Sequence, residues 1–245
     1  WCTTGQEQLS ITQSMGEALD RFMFSIFKGN RPYTELFTSR LGFINGPLTY
    51  FWLNQTGANA GLVFEPAPLN KNSLTPMPYT ARAAWREVEM PESHAGVLTR
   101  TAFLLRFQTN RSRANRFYDA FLCQPFNPPD GGLPVADEAS ARNPDLQLRA
   151  GCKYCHALLE PAASHWGRWT EQGVGFLNPE DFPATRGDCE ACARRGQSCN
   201  RECRNFYAIE SFAPEEDEFL GMLNAYKFRR SDHVRNVEVG PKLLA

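Results

Sequence analysis

The eight cysteines of this 245-residue chain constrain it more than any other feature. Two lie in Cys152-Lys-Tyr-Cys155-His156, four crowd together as Cys189, Cys192, Cys199 and Cys203, and Cys2 and Cys123 stand apart. C-x-x-C-H is the attachment pattern of c-type haem. Cysteines three positions apart occupy adjacent parts of one helical turn, so their thiols can meet the two vinyl groups on one haem edge. The imidazole of the next residue then reaches the iron. The same pair could instead be half of a zinc site or a disulfide. If it holds haem, six cysteines remain, and an even number suits disulfides in an oxidising compartment. Four thiolates at Cys189, Cys192, Cys199 and Cys203 could hold zinc. Arg194, Arg195, Arg201 and Arg204 surround them, however, and disulfides pinning a loop over 187–205 are the favoured reading. Cys2 and Cys123 are left to pair with each other or with a partner chain; the sequence does not disclose the connectivity.

One covalent haem with His156 as proximal ligand leaves the second axial position to be filled. Met222, on the apolar side of an expected helix, His94, just before an apolar helix, and His165, close to the motif in sequence, are the leading candidates; Met90 and His233 are further ones. An open iron position is the alternative, and Glu160, His165 and Arg168 are then the nearest acid–base groups, although each reads first as a surface or helix-end contact.

Net charge is -1, which gives no broad attraction to nucleic acid or anionic membrane. The dense Arg111, Arg113 and Arg116 read as a solvated helix face. No apolar run reaches the roughly 20 residues of a membrane span. Hydrolase triads and phosphate-binding glycine loops are absent from the sequence, and Asp130-Gly-Gly132 reads as a turn. The Asn54-Gln-Thr56 sequon matters only where exported proteins are glycosylated.

The patterning is mainly helical, with long irregular Pro/Gly-rich connections and a haem-bearing helical segment. Thr4 and Glu7 form a capping box, Met15, Leu19, Phe22, Met23, Ile26 and Phe27 recur at helical spacing, and Gly29 stands where a left-handed cap belongs. A second helical region covers 30–53 until Asn45-Gly46-Pro47 breaks it. Residues 54–92 read as loops with a short hairpin. Helices follow through Leu98, Phe103 and Leu104, over 111–122 with Ala114, Phe117, Tyr118, Phe121 and Leu122 on one face, and from Asp145 into the motif. A last amphipathic helix carries Phe219, Met222, Leu223 and Tyr226. These elements divide into an N-terminal helical block (1–123), a Pro/Gly-rich connection (124–144) and a haem-binding segment with its Cys-rich loop (145–245).

Three stretches are similar to the uncharacterised domains of planctomycete-type cytochrome c proteins, which occur also in myxobacteria. Asn30-Arg-Pro-Tyr-Thr-Glu-Leu-Phe-Thr38, running on to Phe43-Ile-Asn-Gly-Pro-Leu48, resembles the end of one such domain, and His94-Ala-Gly-Val-Leu-Thr99 the start of the next. The haem motif with Glu160-Pro161 after it resembles that domain's C-terminal half. Val239-Gly-Pro-Lys-Leu-Leu244 looks like the opening of a further domain, so the parent is expected to continue past residue 245; a start at Trp1 also suits a processed chain or a fragment. The Cys-rich loop, and Ala162-Ala-Ser-His165-Trp166 in place of a Gly-rich segment, depart from the pattern. The resemblance implies haem attachment and export. The expectation is a c-type cytochrome module for electron transfer in the periplasm or outer cell envelope, working with a redox partner protein or other subunits of an envelope complex. The alternatives are a scaffold subunit of a larger envelope assembly and a haem enzyme with an open iron site.

Overall fold

The computed structural model describes residues 5–54, 74–128, 130–133, 143–211, 214–227 and 231–245. The chain is mainly helical, about 51%. It forms two compact units interleaved along the sequence: one holds residues 1–108, 169–177 and 241–245, the other 109–168 and 178–240. No described helix is long and apolar enough to cross a membrane. Cys2, Thr4 of the capping box, residues 55–73 with most of the sequon, and 134–142 of the Pro/Gly-rich connection lie outside the described residues, as does the side chain of His233.

In the first unit, α1 (Gly5–Lys28) buries Ile11, Met15, Phe22 and Ile26, the stripe that 3.6-residue periodicity requires. Phe27 is an exception at 59% exposure. It follows Ile26 directly and so points about 100° away from the buried face. The left-handed residue that ends α1 is Asn30 (φ 48°), not Gly29. Arg31 N–H returns to Ile26 O and Asn30 N–H to Phe27 O, the paired bonds of a Schellman cap. Gly29 is needed for room instead, since a Cβ there would lie 2.6 Å from Ser25 O.

The region 30–53 is not one helix. It holds the single turn α2 (Glu35–Thr38), strand β1 (Leu41–Ile44) and α3 (Gly46–Asn54). Asn45-Gly46-Pro47 opens α3 rather than ending a helix: Asn45 Oδ1 accepts the Leu48 N–H at 3.2 Å, and Pro47 sits in the first turn, where its missing N–H costs nothing. β1 pairs antiparallel with β2 (Arg86–Glu89), from Leu41↔Glu89 to Ile44↔Arg86, so the expected hairpin within 54–92 becomes a long-range pairing. A 3₁₀ turn (Gly96–Thr99) and α4 (Thr101–Arg106) then bury Leu98, Phe103 and Leu104. Gly96 adopts φ +44°, and a Cβ on it would fall 2.1 Å from Leu36 O, so α2 and the 3₁₀ turn meet backbone to backbone.

In the second unit, Thr109 caps α5 (Asn110–Phe121) by accepting the Ser112 N–H at 3.1 Å. Ala114 and Phe117 are buried as expected. Of the arginines expected on a solvated face only Arg113 leaves it, being fully buried; Arg111, which reaches Glu160, and Arg116, which pairs with Asp119, are 52% and 46% exposed. The approach to the motif is a stack of turns, not a helix from Asp145, because Asn143 Oδ1 and Asp145 Oδ1 take the N–H groups two residues on. The helix α6 (Lys153–Ala163) starts inside the motif and packs on α5.

The cysteine-rich segment is helical rather than a loop. α7 (Gly187–Arg194) and α8 (Arg201–Phe206) are clamped by Cys189–Cys203 and Cys192–Cys199. The expected last amphipathic helix is absent: Met222 and Leu223 are extended and bridge Thr185 and Tyr207, between 3₁₀ turns at Pro214–Phe219 and Asn224–Tyr226. The chain's last α-helix is α9 (Ser231–Val239), which packs against α6.

Candidate metal centre

Cys152, Cys155 and His156 occupy the first turn of α6. Gly151, at φ +80°, turns the chain into it. Cys152 C=O accepts the N–H of Cys155 (3.2 Å) and of His156 (3.0 Å), which fixes all three residues in one helical turn. The thiols of Cys152 and Cys155 are free and half-buried, in contrast to the buried, cross-linked sulfurs of the other cluster. Tyr154 and Leu158, one turn apart on the same helix, are 48% and 54% exposed, which leaves apolar surface in water beside Cys155.

His156 is not a loose surface histidine. Its Nδ1 lies 2.5 Å from Glu160 Oε1, four residues on and therefore on the same helical face. Glu160 is buried, and Arg111 reaches it from α5, Nε donating to Oε1 at 2.6 Å and Nη2 to Oε2 at 3.2 Å. Expected at the surface, Glu160 is thus the buried centre of an Arg111–Glu160–His156 chain. The signal for half of this was present in the sequence, in the four-residue step from His156 to Glu160. Arg111, 49 residues away, carried none. Asn236 Nδ2 and Ser164 Oγ both donate to Pro161 O and tie the C-terminal half of α6 down.

The second-ligand candidates lie in different settings. His165 is buried, not a surface contact, with Nδ1 3.1 Å from Gly240 O. Burial lowers its pKa, and the Gly240 hydrogen bond opposes that. Met222 is half-buried on an extended segment, not on a helix face. His94 belongs to the first unit and is fully buried. Thr99 Oγ1 accepts the Ala95 N–H (2.9 Å) and lies 2.8 Å from His94 Nδ1, so its hydroxyl is placed to donate to that ring nitrogen. His94 Nε2 has no hydrogen-bond partner among the described residues, and the ring stands T-shaped to Trp169 at 5.5 Å. Its pKa is held well below the usual histidine value, first by burial and then by Arg100, Arg40 and Lys242. Met90 is buried in the same unit.

The remaining acid–base candidate, Arg168, is also buried. It donates to Tyr226 Oη (2.7 Å) and to Phe182 O (3.1 Å), and Tyr226 bonds Glu238 in turn. The Tyr226 phenol is pushed up to about 12, chiefly by burial. In the cysteine cluster every sulfur is spent in a disulfide, so Cys189, Cys192, Cys199 and Cys203 offer zinc no thiolate. Cys123 is free and exposed.

No family model, no curated protein and no solved structure matches this chain.

Proposed function

We propose that the chain is a c-type cytochrome module that carries electrons in the cell envelope, with one haem held by Cys152, Cys155 and His156. The observation that carries this reading is the first turn of α6. It presents two free thiols and an imidazole whose Nδ1 is engaged by a buried carboxylate. A metal-ligating histidine characteristically gives its other nitrogen to a carboxylate or carbonyl, which leaves one nitrogen for the metal. Here that nitrogen is Nε2, which has no hydrogen-bond partner among the described residues. The residues therefore fit the group.

Cys152 and Cys155 would hold the group by thioether bonds, each S–H adding across one vinyl double bond, which balances without an oxidant or a leaving group. Once bound, the haem supplies one-electron chemistry between two iron states. The chain's own part is to anchor and orient. The first turn of α6 would hold both sulfurs and the imidazole, and Glu160 would orient the ring. Met222 and His165, which belong to the same unit as the motif, would be the candidates for a second ligand. Two buried disulfides suit the oxidising compartment in which such attachment is made. The resemblance to planctomycete-type cytochrome c domains implies the same group, since an acidic residue and Pro usually follow C-x-x-C-H there, as Glu160-Pro161 does here.

The test is the denatured mass of the chain exported from a host that matures C-x-x-C-H proteins. The expected result is an excess of one haem, lost on Cys152→Ala with Cys155→Ala, and a low-spin spectrum altered by His156→Ala. A chain that emerges from such a host at its bare polypeptide mass refutes the proposal.

A further inference from the structure

We propose that Glu160, gripped by Arg111, is a positioning residue that holds His156 in its ligating tautomer and biases the couple toward a low reduction potential; this rests on the haem reading above. The geometry is specific. Glu160 uses both carboxylate oxygens: Oε1 is shared by His156 Nδ1 (2.5 Å) and Arg111 Nε (2.6 Å), and Oε2 takes Arg111 Nη2 (3.2 Å). The Glu160 side chain is only 5% exposed, against 22% for His156 and 52% for Arg111. A charge-assisted hydrogen bond is therefore made in a dry place, where it is stronger than in water.

Two consequences follow for the imidazole. A free neutral histidine in water favours the tautomer with its proton on Nε2, the atom that must bind iron. A carboxylate at Nδ1 draws the proton there and opens the Nε2 lone pair. A ring whose Nδ1–H faces an anion is also a more basic ligand than one facing a neutral carbonyl. It favours the more highly charged oxidised iron over the reduced form, which lowers the potential.

The framework around Glu160 is built for a fixed contact. His156 and Glu160 stand four apart on one helix, so no loop need close to join them. Leu159, Ala162 and Ala163 are buried beside Glu160, and Pro161 O is bonded by Ser164 and Asn236. Arg111 comes from α5, a separate helix packed on α6. Its forked grip on both oxygens prevents the carboxylate from swinging off the ring, and its charge offsets the cost of burying the anion.

The experiment uses two independent readouts on the full chain. In the haem-loaded protein, Glu160→Gln keeps an acceptor of the same shape but removes the charge. Its potential should rise with one haem still attached by mass, and Glu160→Asp should stay closer to wild type. A structural role alone would lower thermal stability in Glu160→Gln and leave the potential at the wild-type value, and that result overturns the proposal. In the chain produced without haem, nitrogen-15 spectra above roughly pH 8, where free imidazole is neutral, should show the His156 proton on Nδ1. Glu160→Leu should move it to Nε2; a wild-type chain already in the Nε2 tautomer overturns the proposal. The tautomer readout does not depend on haem. A wild-type chain that takes up no haem but shows the Nδ1 proton removes the haem reading while leaving the hold of Glu160 on His156 standing.

Discussion

The two disulfides are nested, and that gives a quantitative expectation. Cys189–Cys203 spans 14 residues and Cys192–Cys199 spans 7 inside it. A cross-link stabilises mainly by removing entropy from the unfolded chain, and the effect grows with the length of the loop it closes. With the inner bond already formed, the outer one restrains only the remaining arms, about 7 residues in effect. With the outer bond formed, the inner one divides a ring into two equal arms that act in parallel, an effective loop of about 3.5 residues. Breaking the outer bond alone should then cost ~2.4 kcal/mol, breaking the inner alone ~1.7 kcal/mol, and breaking both ~4.7 kcal/mol. The double loss thus exceeds the sum of the single losses by about 0.6 kcal/mol, because each bond is worth more once the other is gone. Paired Cys→Ala variants and urea unfolding measure this directly. Lost sulfur packing adds a similar amount to each pair, since all four sulfurs are buried, so the ordering and the excess carry the test. An inner bond worth more than the outer, or a double loss smaller than the sum, would refute the chain-entropy argument for this segment.

Acid should weaken the first unit through His94. Burial holds its folded pKa well below the unfolded value of 6.5, so below that pH the unfolded chain takes up a proton that the folded chain refuses. Stability is complete above 6.5 and falls as pH drops from there toward the folded value. His94→Phe should flatten urea midpoints measured between about pH 7 and about pH 5; an unchanged slope in that variant removes His94 as the cause. Gly96→Ala should cost about 2–4 kcal/mol, because it combines a left-handed φ with a Cβ placed 2.1 Å from Leu36 O. A variant as stable as wild type by chemical denaturation would show that α2 does not sit on the 3₁₀ turn as described.

Legibility followed the range of the interaction. α1 could be read because Met15, Phe22 and Ile26 repeat over several turns, whereas its cap was misassigned because Gly29 and Asn30 both suit a helix end and only the Arg31–Ile26 hydrogen bond tells them apart. Phe219, Met222, Leu223 and Tyr226 have helical spacing over barely two turns, too short to outweigh extended pairing with Thr185 and Tyr207. Gly46-Pro47 was ambiguous in principle, since the pair ends one helix as readily as it starts another, and the Asn45 cap decides for a start. The pairing of the cysteines around α7 and α8 has a partial signal in their spacing. Cys189 and Cys192 are three apart and share one face of α7, whereas Cys199 precedes the Asn200 cap and only Cys203 lies in α8. The chain turns back between Cys192 and Cys199, and the outer cysteines join each other as do the inner ones.

The candidate centre shows the same division in a form that bears on function. Cys152, His156 and Glu160 follow one another at four-residue steps, so a single helical register lines up a free thiol, an imidazole and the carboxylate bonded to it. Such a device can be read from sequence once the helix is granted. Its charge balance cannot, because the compensating guanidinium of Arg111 comes from another helix 49 residues earlier. Glu160 would be costly to bury alone, and Arg111 would be one more surface arginine without it. Pro161, inside α6 next to Glu160, has no N–H to give to the preceding turn, and its own carbonyl is taken by Ser164 and Asn236. The packing of α5 on α6 therefore does more than fill the second unit: it holds a negative charge against His156 where water cannot compete for it.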